Sequence, residues 1–408
     1  MKKQSFITVL ALALMTISCE PVDGPWNAQS TQKIRLSDVA VLLSEIPIGK
    51  EQIGEVYDAV SISAGNGYDE EYTMQDLFRD PGSGVGEHAV KGRTVCAPTR
   101  SGPVEYSLPL RDMLRSALEG RAATRSMDIN LSDNILGDRT VDDFLDLLQD
   151  SDIQIYWPYA EEWDWETLPV ISFDPEDGSE VNVGYELFVE GGAVTRREVV
   201  VTEKMAMERP VWVVNRNNDS QYTSIELLRK NDPAWDGGGS IIVTPAAATK
   251  KKALYIKDFT MKQQGDCWFA GASEYFVKVG SVDDFRASTE AELLLYDPMI
   301  TDFMMVVRRK ELGIPREMNA VLVPSWTPQL ERCAIMIHED DGGTIEKWNC
   351  SAVVKWESRS YGFDISIPFH SRDDIVWRGH LTYDYLEAFS GTPQHLGDVD
   401  VTFELVSY

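Results

Sequence analysis

Between residues 36 and 148 the apolar positions recur three and four apart. Leu36, Val39, Ala40 and Leu43 form one stripe, and Ile53, Val56, Tyr57 and Val60 a second. Leu110, Met113, Leu114, Ala117 and Leu118 make a third, and Val141, Phe144, Leu145 and Leu148 a fourth. That period belongs to amphipathic helices, so the spacing predicts four helices around a shared core. Ser37 is placed to cap the first, "GNG" at 65–67 to stop the second, and Gly120 to close the third. Thr140, with Asp143 three residues on, approximates a capping box for the fourth.

From about residue 151 the period changes. "IQIYWP", "LPVISF", "EVVV" and "VWVV" are short β-branched and aromatic runs separated by turns such as "DPEDG". After 253 follow "LYIKDF", "MMVVRR", "NAVLV", "CAIMI", "AVVKW", "FDISI" and "DVTFEL", with few helical crossovers between them. That succession favours an antiparallel sandwich over a parallel α/β sheet. The expected fold class is therefore α+β, an N-terminal helical and mixed region followed by a C-terminal antiparallel β-sandwich. "WDGGGS" (235–240) and "AAATKKK" (246–252) mark the best boundary. The expected organisation is a signal peptide over 1–18, a lipidated linker over 19–35, a helical region over 36–150, a mixed β-rich region over 151–240 and the sandwich over 253–408.

Composition changes this picture little. The chain has 408 residues, 43% of them hydrophobic and 25% charged, ample for a sizeable core. Charge excludes more: 38 basic against 66 acidic residues leave −28, a field that repels phosphate backbones, so no nucleic acid is expected as a partner. The first residues, "MKKQSFITVLALALMTISC", combine a basic start with an apolar run too short to span a bilayer permanently. Thr16-Ile17-Ser18-Cys19 resembles a bacterial lipobox, which implies acylation (palmitate) of Cys19 and a membrane partner through that anchor, although Thr16 replaces the usual Leu and leaves ordinary signal cleavage open. The expected location is the outer membrane or cell surface, with the periplasmic face as the alternative.

Candidate chemistry centres on "QQGDCWFAGAS" (263–273), which resembles the nucleophile segment of calpain-like and papain-like cysteine proteases. Such an enzyme needs an oxyanion donor, a thiolate and a histidine held by a third group. Gln263 and Gln264 sit closer to Cys267 than in those families, and neither His338, His370, His380 nor His395 is followed by an orienting Asn-Pro-Trp or Asn-Ser-Trp segment. The leading expectation is a structural Cys267 in a non-enzymatic binding or scaffold protein, and the alternative is a thiol-dependent hydrolase using Cys267 and His380. No catalytic residue, cofactor or metal is assigned, because the chain lacks HExxH, paired Cys-x-x-Cys and Walker or Rossmann segments. Two acidic groups merit attention as cation candidates: the turn with Asp174, Glu176, Asp177 and Glu180, and the strand-end pairs Asp373-Asp374 and Asp398-x-Asp400.

Trp157, Tyr159, Trp163 and Trp165, in "YWPYAEEWDW", are amphipathic plates suited to a glycan or protein partner, or to plugging a seam between regions. In "CAIMIHEDDGGTIEKWNC", a two-residue Asp341-Gly342 hairpin turn would set Cys333 opposite Cys350 and permit a disulfide. A three-residue loop through Gly343 would instead place Cys333 opposite Ser351 and leave free thiols. The segments "LSDVAVLLSEIPIG", "NGYDEEYTM", "MERPVWVVNRN" and "GASEYFVKVGSVDDF" give most of the chain after Cys19 a resemblance to uncharacterised secreted lipoproteins of Bacteroidota. That resemblance implies localisation and transfers no activity or site residue.

Overall fold

The computed structural model describes residues 33–79, 106–125, 135–217, 222–231 and 252–407, and the two-residue strands at 98–99 and 102–103. Cys19 and residues 232–251 lie outside the described residues. From Arg35 on, the described residues make one compact unit.

Helices α1 (Leu36–Glu45) and α2 (Lys50–Gly65) lead into β1 (Glu71–Thr73) and the short α3 (Met74–Leu77). Two-residue strands β2 (Pro98–Thr99) and β3 (Gly102–Pro103) precede α4 (Leu110–Arg125) and α5 (Val141–Gln149). Then come β4 (Ile153–Tyr156), β5 (Val170–Phe173), β6 (Val181–Glu190), β7 (Ala193–Thr202), α6 (Glu203–Glu208), β8 (Val211–Arg216) and α7 (Ile225–Asn231). The strands form a sheet of order β1-β4-β8-β5-β6-β7, antiparallel except for the β5–β8 pair. All four predicted stripes are helices, and α1 packs its apolar side on β5 and β8. The capping box is present: Thr140 Oγ1 accepts the Asp143 N–H at 3.1 Å. Two expected boundaries differ. Helix α1 starts at Leu36, one residue before Ser37 could cap it, and α4 runs through Gly120 to Arg125, a glycine costing a helix less than its packed stripe returns.

The C-terminal half is the expected antiparallel sandwich. One layer contains β10 (Ser273–Ser281), β11 (Met299–Val307), β13 (Leu330–Glu339), β14 (Ile345–Trp356), β15 (Arg359–His370) and β16 (Asp374–Thr382), joined in the order β11-β10-β13-β14-β15 with β16 also on β13. The other, of order β12-β9-β18-β17, contains β9 (Lys252–Met261), β12 (Arg316–Trp326), β17 (Pro393–Leu396) and β18 (Val399–Ser407). Short helices α8 (Glu290–Leu293) and α9 (Tyr383–Ala388) fill connections. Ile256, Phe259, Val277, Val279, Ile335, Ile337, Met318 and Phe403 belong to one buried core cluster.

The segment "SEYFVKVGS" is β10, with all nine residues buried. Its second face is covered too. Lys278 Nζ donates to the Pro368 carbonyl at 2.7 Å, and a Cβ on Gly280 would lie 2.8 Å from Ile365. With both faces covered, the polar–apolar alternation that announces a strand is lost.

The hairpin expectation is corrected. Along Ala334–Glu339, β13 pairs with β10 on one edge and β16 on the other, so β14 meets it only at Leu330 and Arg332. Cys333 therefore faces Leu381, and Cys350 faces Ile365 of β15. Neither hairpin register forms, and Cys333 and Cys350 are free thiols. Burial pushes their pKa values up to about 12 and about 11.

Candidate functional site

The loop before β10 holds Cys267, and it runs against the first sheet. Trp268 and Phe269 are fully buried in a cluster with Tyr156, Val170, Val201, Val211 and Val213, and Cys267 packs against that cluster. The Trp268 indole N–H donates to the Glu180 carbonyl at 3.0 Å, and Asn215 Nδ2 donates to the Ala270 carbonyl at 2.6 Å. Burial raises the Cys267 pKa, opposite to what an activated thiol requires. His380 stands elsewhere. It pairs with Ala334, which pairs with Gly280, seven residues along β10 from Ser273. At ~3.3 Å per residue that is about 23 Å up the strand from the end where the Cys267 loop enters. The His380 ring packs beside Trp348, with centroids 5.9 Å apart, and burial lowers its pKa. The structure does not bring Cys267 and His380 together.

The same loop closes over a cluster of carboxylates at the Glu339 end of β13. Three chain segments converge there: the loop carrying Asp266, the run His338-Glu339-Asp340-Asp341, and the β15–β16 turn His370-Ser371-Arg372-Asp373-Asp374. Strand register explains the convergence. Tyr275, Glu339 and Asp374 lie opposite one another on β10, β13 and β16, so two carboxylates face each other directly. Like charges so placed repel unless something intervenes. Gly265 makes the approach possible, since a Cβ there would stand 3.0 Å from both Cδ and Oε1 of Glu339.

The cluster divides into two halves. In the first, His370 Nδ1 lies 2.9 Å from Asp340 Oδ1, and Asp373 Oδ2 accepts the His370 backbone N–H at 2.7 Å. Asp340 Oδ1 also accepts the Gly342 N–H at 2.9 Å, and Asp373 Oδ1 the Asp341 N–H at 3.3 Å. His338 is buried and stacked on Phe276, its Nδ1 2.9 Å from Asp373 Oδ2 but off the direction of a hydrogen bond. Burial lowers the His338 pKa, and Asp373 opposes that only in part. The second half is Glu339 with Asp266, Glu274, Asp341 and Asp374. Glu339 is 1% exposed, and both its carboxylate oxygens are buried with no hydrogen-bond partner. Burial, with Asp266 beside it, pushes its carboxyl up to about 11, and Asp341 is raised chiefly by burial to about 7. The Arg309 guanidinium points elsewhere, to the Asp266 backbone carbonyl at 2.6 Å and to Glu203 at 3.2 Å.

The other sequence candidates are dispersed. Trp157 and Trp163 are packing residues, buried in a ring cluster with Tyr57 and Trp212. Tyr159 donates its hydroxyl to Glu203 at 3.1 Å, and only Trp165, 55% exposed and tilted 4.7 Å from Trp163, presents its indole outward. In the 174–180 turn, Asp174 and Asp177 accept local backbone N–H groups and Glu176 pairs with Arg216 at 2.6 Å, so these acids do not converge. Asp400 pairs with Lys262 at 2.7 Å and His395 at 3.0 Å, a separate site from Asp373 and Asp374. The sequence marks Asp373-Asp374 as a cation candidate, but the loop containing Asp266 only as a thiol segment and Asp341 only as a hairpin-turn residue. The "HEDD" run was the available signal.

No family model, no curated protein and no solved structure matches the chain. Among the described residues no helix is long and apolar enough to cross a membrane.

Proposed function

We propose that the protein is a lipid-anchored envelope protein, held through Cys19, whose sandwich serves as a non-enzymatic binding or scaffold module. The observation that carries the non-enzymatic part is the placement of Cys267: packed against a hydrophobic cluster, its thiol pKa raised by burial, with His380 far along the strand. A thiol nucleophile needs a base within hydrogen-bond reach, and proton transfer does not operate over such a gap. The anchor reading rests on the basic start, the apolar run and the Ser18-Cys19 junction. A glycan or protein partner has one accessible ring to stack on in the aromatic run, Trp165, with Tyr57 4.9 Å behind it.

Cys19→Ala tests the anchor. Cells expressing the variant should release the protein to the soluble fraction, whereas the wild type should pellet with membranes and carry the added mass of acyl chains. Wild-type protein that pellets with no added mass contradicts the assignment.

A further inference from the structure

We propose that Asp266, Glu339, Asp341 and Asp374 bind a calcium ion at the end of the sandwich where the 263–268 loop closes over β13. The ligand-capable oxygens of Glu339, Asp341 and Asp374 all lie within 4.8 Å of one another, as do those of Asp266, Glu274 and Glu339. Calcium takes oxygens at about 2.3–2.6 Å, so two ligands on opposite sides of one ion stand up to about 4.6–5.2 Å apart. Glu339 belongs to both sets, and an ion beside it is reached from both.

Glu339 is a side chain almost wholly buried, and neither of its oxygens has a donor in hydrogen-bond geometry. A buried carboxylate without a donor is costly, and native proteins pair such groups with hydrogen bonds, cations or metals. The Asp340 and Asp373 carboxylates a residue away show that the fold supplies donors here, from His370, Gly342 and Asp341 backbone or ring N–H groups. Beside Glu339 stands only the Ser273 hydroxyl, outside hydrogen-bond geometry and outweighed by burial and Asp266. Among the described residues no lysine or arginine pairs with any of the four carboxylates, and Gln264, at the edge of the same loop, also has its amide Oε1 buried without a partner. Oxygen-only donors select a hard cation, and the partly exposed Asp341 and exposed Asp374 leave room for water ligands and an entry path. Magnesium dehydrates reluctantly and demands a near-ideal octahedron at about 2.0–2.1 Å, so a cage of several protein carboxylates suits it less well.

The test is the thermal unfolding of the mature chain in EDTA, in about 5 mM calcium and in about 5 mM magnesium, above the millimolar affinities of extracellular calcium modules. Calcium should raise Tm reversibly, and magnesium should raise it less. Glu339→Gln keeps the side chain's shape and Asp374→Asn changes an exposed group, so a folded variant is available even if one substitution proves disruptive. Each should weaken calcium binding, read by titration calorimetry, by at least about tenfold, since ligand charge sets affinity in such sites. A chain whose Tm ignores calcium overturns the proposal. So does a calcium effect equal to that of magnesium and unchanged in both variants.

Discussion

Replacing Trp268 by alanine should cost about 4 kcal/mol of folding stability. The indole is fully buried, its ring centroid 3.9 Å from that of Phe269, among Tyr156, Val170, Val201, Val211 and Val213. A tryptophan buries roughly 150–250 Å², worth about 4–6 kcal/mol at ~25 cal/mol per Å². The denatured chain already buries some of that area, which trims the figure by about 10–40%. Losing the indole N–H leaves the Glu180 carbonyl without that donor, returning about 1 kcal/mol to the cost. The total agrees with the ~3–5 kcal/mol usual for removing a large aromatic from a core. Urea unfolding followed by far-ultraviolet circular dichroism measures it without relying on the fluorophore being removed. Trp268→Phe should lose only part of this. A Trp268→Ala cost under about 1 kcal/mol would refute the idea that this residue pins the loop to the first sheet.

Two further outcomes follow from local geometry. Gly397 has φ +63°, and a Cβ there would stand 2.3 Å from the Val376 carbonyl oxygen, so Gly397→Ala should destabilise by about 2–4 kcal/mol in the same assay. Glu55 is buried, accepting the Leu110 N–H at 2.7 Å and the Tyr72 hydroxyl at 3.2 Å, and burial raises its pKa above 4.5. In the window between the ordinary and the raised value the native state holds a proton that the unfolded state has lost, so stability falls as pH rises through it. Glu55→Gln should therefore be more stable than wild type above that window and lose its advantage below pH 4.5 in urea titrations across pH.

The sequence was informative where one face of an element is wet. The four helical stripes and strands such as β9 and β18 alternate because one side meets a core and the other water. β10 is covered on both sides by β9's layer and by β15, so its residues carry no period to read. The partner of β13 was equally hidden. Asp341-Gly342 is good hairpin chemistry, yet β16, more than thirty residues later, occupies the edge that β14 would need. That long-range choice also assembles the acidic site, setting Asp374 opposite Glu339. Asp373-Asp374 is visible as an acidic pair and the Asp266 loop as a thiol segment, while their meeting depends on pairing that no local pattern encodes. The tryptophans of 157–165 share one composition, and burial alone separates Trp157 and Trp163 from Trp165.

The measurement that bears most directly on the non-enzymatic reading is the alkylation rate of Cys267 by iodoacetamide at pH 8, followed by mass spectrometry of its peptide in native and urea-unfolded protein. A half-buried thiol with its pKa raised by burial should react at least about tenfold more slowly in the native chain than in the unfolded one. Native Cys267 reacting faster than the unfolded peptide would mean an activated thiolate, and would return the chain to the thiol hydrolases.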